Sequence, residues 1–151
     1  LNRSLSRVYW LNIGDADIPF LLVVERTKLV PPGEYGGKHI VYTADYVTRD
    51  DPRWAMDTED IVRDYMAHMK KINPEFDETW VEEYHLHKEP AAQPVIKVNY
   101  SERIPSTRTP VDGLWLATMS QVYPEDRGTN YSIRLGIQVA REAVAEVEQK
   151  S

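Results

Sequence analysis

The chain has 151 residues, enough for a domain with a hydrophobic core, and its 42% hydrophobic and 28% charged residues are typical of a globular protein. Its net charge of −6 and lack of a basic run argue against nucleic acid or an anionic membrane surface as the main partner. No apolar stretch reaches the roughly 18 residues of a membrane-spanning helix. The chain has no cysteine, which excludes disulfides and thiolate chemistry and is compatible with a cytoplasmic protein.

Three runs in the first third of the chain have the composition of strands. They cover residues 8–12, the β-branched run 20–27, and the alternating run 38–46. The loops between them are too short to contain a crossover helix. We therefore predict an antiparallel sheet.

A helix is predicted over residues 57–72. Asp57 is a suitable N-cap, and Ile61, Tyr65 and Met69 recur at helical spacing. Asn73 and the proline after it end the pattern. Beyond this helix, we predict a strand over 81–88, an extended piece over 93–98 and an irregular connection over 99–112.

The most informative stretch begins at Gly113. The short apolar run 114–117 predicts a buried strand, and a polar loop separates it from an amphipathic helix that starts near Tyr131. Thr129 or Asn130 is expected to cap that helix. A helix start above a strand end favours anion binding, because its free N–H groups and the positive end of its dipole point outward.

This last helix has an apolar stripe and one unusual glycine. The glycine, Gly136, costs about 1 kcal/mol relative to alanine in a helix interior, which suggests the close approach of a sheet or a ligand. The stripe consists of Ile133, Ile137, Ala140, Val144 and Val147.

Other chemistry has little support in the sequence. His85 and His87 would share one face of a strand, but no third ligand is placed by spacing, so no metal site is predicted. No serine lies in a Gly-x-Ser-x-Gly pattern, and no Gly-x-Gly-x-x-Gly pattern occurs. Most of the large aromatic residues are expected to pack in the core or at its rim, although a planar ligand stacked between some of them is an alternative.

The sequence from Gly113 (Gly-Leu-Trp-Leu-Ala-Thr-Met), followed by that from Arg127 (Arg-Gly-Thr-Asn-Tyr-Ser-Ile-Arg-Leu-Gly), resembles the C-terminal signature of FAD-dependent amine oxidoreductases. That family includes flavin monoamine oxidases, protoporphyrinogen oxidases and phytoene desaturases. The resemblance implies that the strand end meets the ribityl or phosphate region of FAD. It also implies that the helix start faces the pyrimidine edge of the flavin.

The cofactor-binding residues implied by the resemblance are Thr118, Met119, Gly128, Thr129, Asn130 and Tyr131. Relatives often have Gly-Asp or Gly-Asn where this chain has Thr118-Met119, so contacts there are expected through the backbone. No residue is carried over as catalytic, because the flavin performs the redox chemistry in this family.

The resemblance also implies a domain organisation. Residues 1–112 would belong to a substrate domain, and residues 113–151 would be the returning strand and helix of the FAD domain of a longer protein. The chain starts with Leu1 and has no dinucleotide-binding glycine motif, so we expect it to be a C-terminal portion. It should bind FAD weakly or not at all, be inactive by itself, and expose apolar surface that favours a homodimer.

The sequence therefore predicts an α+β fold, a mainly antiparallel sheet with one packed helix, closed by a C-terminal strand and long helix. The implied function is oxidation of a small molecule by hydride transfer to FAD. A sheet followed by a long C-terminal helix also fits a non-enzymatic ligand-binding module of the helix-grip type, and the residues alone leave both open.

Overall fold

In the computed structural model, which describes residues 1–150, the chain divides into two units, Leu1–Lys88 and Glu89–Ser151. The first unit contains a three-stranded antiparallel sheet and a helix, and the second contains a long C-terminal helix. The predicted α+β class is confirmed. Assignment of residues 1–112 and 113–151 to two domains of a longer protein stays a prediction.

The sheet consists of β1 (Trp10–Asn12), β2 (Leu22–Glu25) and β3 (Val41–Ala44), in that spatial order. All three lie within the predicted runs but are shorter. The run that contains β2, for example, leaves the sheet after Glu25 and continues as a 3₁₀ turn, Arg26–Lys28.

The two faces of the sheet have different surroundings. One face packs against the core through Val23, which is paired with Leu11 on one side and Thr43 on the other. On the opposite face, Trp10 and Tyr42 flank Val24 and remain more than half exposed. The buried residues of the core cluster are Leu5, Phe20, Val23, Met69, Phe76 and Trp80.

Helix α1 (Thr58–Ile72) agrees with the predicted helix to within one residue. The Asp57 side chain accepts a hydrogen bond from the Asp60 N–H at 3.2 Å, as expected of an N-cap. Ile61 and Met69 are buried on its apolar stripe. At its end, the Asn73 N–H donates to the Met69 carbonyl.

A buried carboxylate joins the N-terminal segment to the sheet. Glu25 is fully buried, and its oxygens accept hydrogen bonds from the Ser4 hydroxyl at 2.8 Å and from the Leu5 and Ser6 N–H groups at 3.1 and 2.6 Å. His39 Nδ1 lies 3.3 Å from Glu25 Oε1. Because a buried charge is tolerated only when it is hydrogen-bonded, these contacts define where the N-terminal segment lies.

A second anchored charge is Arg53, which joins the loop before α1 to the sheet. Its guanidinium donates to both carboxylate oxygens of Asp51, at 2.9 and 2.8 Å, to the Pro19 carbonyl at 2.9 Å, and to Asp45. The hydrogen bond from the Arg53 side chain, followed by that from its backbone N–H, lowers the pKa of Asp51 to about 2. The same pairing raises the pKa of Arg53.

One predicted strand beyond α1 is corrected by the structure. Residues 81–88 have no partner strand in the described part of the chain, and the segment is held through side chains instead. Lys88 Nζ, for example, donates to the carbonyls of Arg53 at 2.9 Å and Met56 at 2.6 Å. The extended piece expected over 93–98 likewise joins no sheet.

The predicted buried strand 114–117 is also wrong. Only Trp115 pairs, through a single antiparallel bridge with Arg108, and Leu114 is 53% exposed. An apolar run becomes a strand only where a second extended segment supplies hydrogen-bond partners, and here one bridge is formed.

Helix α2 (Thr129–Lys150) begins two residues earlier than predicted and has two apolar faces. One face packs within the second unit through Val139, which is 7% exposed. The predicted stripe lies on another face, where Ile133, Ile137 and Val144 are 57%, 50% and 57% exposed. No helix in the described part of the chain is long and apolar enough to cross a membrane.

Replacing Glu25 with glutamine tests the buried carboxylate. We expect Glu25→Gln to lower the free energy of unfolding of the first unit by about 2 kcal/mol, because charge-assisted hydrogen bonds to a buried group are lost. Urea unfolding measures the change. The exposed Glu34→Gln is the matched control and should alter stability little; equal effects of the two substitutions would contradict the anchoring role.

The Asp51–Arg53 pair predicts a specific acid dependence. Because the pKa of Asp51 is about 2 in the folded chain against 3.8 for the free group, its contribution to stability is complete above pH 3.8 and disappears as the pH falls to about 2. In Asp51→Asn this component is missing at every pH. Unfolding free energies of the two proteins should therefore converge between pH 4 and 2, and parallel curves would refute the assignment.

Candidate functional site

The predicted cofactor turn is a folded loop in the second unit. Thr118 precedes a 3₁₀ turn, Met119–Gln121, and its N–H donates to Gln121 Oε1 at 2.7 Å. The Gln121 amide group in turn donates to the Pro105 carbonyl at 3.1 Å. The Gln121 N–H also donates to the Thr118 carbonyl at 2.9 Å, so Gln121 holds the peptide groups on both sides of Thr118.

A buried tyrosine is hydrogen-bonded to this turn. Tyr100 is 8% exposed, and its hydroxyl donates to the Ser120 carbonyl at 2.8 Å. Its ring centroid lies 5.6 Å from that of Tyr123, whose peptide bond to Pro124 is cis. Val122, the residue before Tyr123, is also buried. The loop is therefore packed on both sides of the 3₁₀ turn.

The start of α2 contacts this turn through one side chain. The Ser132 hydroxyl lies 2.7 Å from Met119 Sδ and 3.1 Å from the Gly128 carbonyl, and the Ser132 N–H donates to the same carbonyl at 3.0 Å. The structure therefore brings Met119 close to Gly128 and the first turn of α2, although Met119 and Gly128 are nine positions apart in the sequence.

The residue before α2 lies close to two side chains of the first turn. A Cβ atom on Gly128 would lie 2.8 Å from Asn130 Oδ1 and 3.4 Å from a ring carbon of Tyr131. Glycine thus allows both side chains to fold back over the helix start. By contrast, a Cβ on Gly136 would meet nothing within 4 Å, so the structure shows no close approach at that glycine.

The structure corrects the N-cap that the sequence predicted for α2. Thr129 and Asn130 lie inside the first turn rather than before it, because the hydrogen-bond ladder begins at the Gly128 carbonyl. Both residues are exposed. No acidic residue lies in the first turn, so no carboxylate of that turn offsets its N–H groups.

Two oppositely charged side chains flank the helix start. Arg134 Nη2 lies 2.5 Å from Glu125 Oε1, and the Arg134 guanidinium lies 5.0 Å from the centroid of the Tyr131 ring. The hydrogen bond from Arg134 lowers the pKa of Glu125, and the same bond raises the pKa of Arg134. Arg127 Nη1 donates to the Ala92 carbonyl at 2.5 Å.

A pocket of about 200 Å³ lies between this loop and the segment before it. It is smaller than the roughly 300 to 1,000 Å³ of typical ligand sites, so it could hold only part of a dinucleotide. Two stretches of the second unit line it. One contributes Gln93, Pro94 and Ile96, and the other contributes Met119 and all residues from Val122 to Arg127.

The histidines considered in the sequence analysis are not part of an assembled site among the described residues. His85 Nε2 is 3.0 Å from Glu83 Oε1, and both side chains are exposed. Among residues 1–150, no three histidine, aspartate or glutamate side chains are grouped so as to hold a metal ion.

Sequence reasoning missed the supporting residues of the turn. Ser132, Gln121 and Tyr100 act through contacts with loop carbonyls or with sulfur, and these contacts follow no local spacing rule. Glu125 and Arg134 are nine positions apart across a loop and a helix start. The only local signal was the glycine before the helix.

Comparisons with protein-family profiles, curated proteins and solved structures find no match for this chain.

The ion pair at the helix start predicts a measurable titration. In Arg134→Met, the pKa of Glu125 should rise toward 4.5, the ordinary value of the group, because its main hydrogen-bond donor is removed. Carboxyl chemical shifts, followed by NMR between about pH 2 and 7, measure this pKa. Arg141→Met, an exposed position of the same helix, should leave Glu125 unchanged.

Proposed function

We propose that this chain is the C-terminal part of an FAD-dependent oxidoreductase of the amine-oxidase kind, and that its loop from Thr118 to Tyr131 contacts the flavin. One observation carries the proposal. Met119, Gly128 and Asn130, which the sequence signature implies as cofactor contacts, gather around the start of a 22-residue helix with no acidic residue in its first turn. The resemblance of the sequence to the family signature is the other support.

The residues present suit the pyrimidine edge of a flavin. The first turn of α2 offers backbone N–H groups without helical partners, which stabilise the negative charge that this edge carries when reduced. Thr129 and Asn130 are exposed beside these groups. Gly128 lets the Asn130 carboxamide lie close to the backbone, where it can donate to a carbonyl oxygen.

The Thr118–Met119 peptide would supply the contact on the strand side. Its geometry is fixed by the hydrogen bond from the Gln121 N–H to the Thr118 carbonyl and by the contact of Met119 with Ser132. Prior ordering of a loop lowers the entropic cost of binding. These residues therefore act by positioning, with backbone atoms rather than a side chain facing the ribityl or phosphate region.

When bound, FAD would supply the redox chemistry by accepting a hydride from a small-molecule substrate. The chain's own contribution is electrostatic and orienting, through the α2 amides, the Asn130 side chain and the Thr118–Met119 backbone. No residue of this chain is assigned a catalytic role. The lack of a Gly-x-Gly-x-x-Gly motif means that the ADP half of the cofactor would be held by another part of a longer protein.

The substrate-domain role of residues 1–112 is part of the same proposal. The exposed rings of Trp10 and Tyr42, on one face of the sheet, suit contact with an apolar or planar compound. The chain has no cysteine, which accords with a proposed cytoplasmic location.

No observation on residues 1–150 favours the helix-grip alternative. That architecture requires a sheet wrapped around the C-terminal helix. The sheet has three strands, all in the first unit, and it contributes to a core cluster that includes Met69 of α1.

The natural gene product, expressed in full, tests the proposal. We expect it to purify with FAD, and Asn130→Ala or Gly128→Ala to raise the dissociation constant of the refilled apoprotein for FAD by about tenfold, which corresponds to about 1.4 kcal/mol for one lost or displaced hydrogen bond. Absorbance and fluorescence of released flavin give the stoichiometry. Gly14→Ala is the control, because a Cβ there meets nothing within 4 Å.

A colourless full-length protein that takes up no FAD would refute the proposal, as would variants that retain flavin like the control. The 151-residue chain alone should bind FAD weakly or not at all, because the ADP half of the site is missing. Binding of FAD by this chain at about 1 μM or tighter, near −8 kcal/mol, would contradict that division of the site.

A further inference from the structure

The apolar stripe of α2 follows the spacing of a coiled-coil seam. Its residues Ile133, Ile137, Ala140, Val144 and Val147 are separated by alternating steps of four and three, which is a heptad a/d pattern. At 100° per residue, the stripe lies about 120° around the axis from Val139, the buried residue of the packed face. The helix therefore has a second apolar face that its own unit does not cover.

We propose that this stripe binds the same stripe of a second copy of the chain, with the two α2 helices antiparallel. The pairing sets Ile137 against Val147 of the second copy, and Ala140 against Val144 of the second copy. Both pairs then occur twice, as twofold symmetry requires. The proposal does not depend on flavin binding.

Charge decides the orientation. Arg134, Arg141 and Glu148 follow the stripe at heptad position e, and the two g positions within residues 133–147, Gly136 and Ala143, are uncharged. Antiparallel packing brings e beside e, so Arg134 of each copy, which also pairs with Glu125 of its own chain, lies near Glu148 of the other copy. Parallel packing would oppose charged e positions to Gly136 and Ala143, and would align the two helix dipoles unfavourably.

The same geometry brings the two Arg141 side chains together near the symmetry axis. Like charges at this distance oppose association, and this contact limits the affinity. It is also specific to the antiparallel arrangement, since parallel packing would place Arg141 beside a glycine of the second copy. Arg141 thus provides a test of orientation as well as of contact.

The available area fits a weak, reversible dimer. The exposed parts of Ile137, Val144 and Val147 amount to roughly 300 Å² in each copy, so with Ala140 and flanking methylene groups the total lies below about 1,000 Å², in the range of weak, transient interfaces. We expect a dissociation constant of the order of 100 μM. The contact spans residues 137–147, so it leaves Gly128 and the first turn of α2 uncovered.

Sedimentation equilibrium of the 151-residue chain from about 10 μM to 1 mM measures the association. The average mass should rise from 17.5 kDa toward twice that value. Ile137→Lys should abolish the rise, because it buries two charges at the seam. Ala145→Lys adds the same charge to an exposed position on another face and should dimerise like the parent chain.

Two charge variants test the antiparallel orientation. Arg141→Gln should tighten the dimer by about two- to fivefold, and Glu148→Gln should weaken it by a similar factor. Circular dichroism should show equal helix content in all variants. A chain that stays monomeric at about 1 mM, an Ile137→Lys variant that still dimerises, or an Arg141→Gln variant with unchanged or weaker association would each overturn the proposal.

Discussion

The first backbone N–H groups of a helix have no hydrogen-bond partner within that helix. In the second unit this constraint applies at the start of α2, directly after Gly128. The polar residues nearby leave most of these groups open. The Gly128 carbonyl accepts hydrogen bonds from Ser132, whose hydroxyl also contacts Met119, and the Glu125 carboxylate in the preceding loop pairs with Arg134. A helix start without a carboxylate in its first turn is suited to receive a negative group from outside. The proposed flavin contact follows from that arrangement.

The parts of the fold that the sequence predicted are those set by local periodicity. Helix α1 was correct to within one residue, because the Asp57 cap, the stripe of Ile61 and Met69 and the stop at Asn73 are all local signals. The antiparallel sheet followed from short loops between β-branched runs. Where the sequence failed, at 81–88 and 114–117, an extended run lacked the partner strand that no local pattern can specify.

The sequence indicated which residues lie at the start of α2 but not those that hold the preceding turn in place. The glycine before α2 and the exposed Thr129 and Asn130 could be found from the sequence. The roles of Tyr100 and Gln121 could not, because each acts by bonding a carbonyl in a segment at least sixteen residues away. Contacts of this kind depend on tertiary packing, which no spacing rule describes.

The segment 81–88 has a further consequence for behaviour at high concentration. An extended backbone without a partner strand can template the addition of another chain. Here the segment contains Glu82, Glu83 and Lys88, and Lys38 and the carbonyls before α1 hold two of these charges in place. Charged side chains discourage edge-to-edge association. These charges therefore protect an open backbone from aggregation, so neutral substitutions along 81–88 would compromise solubility before they compromised the fold.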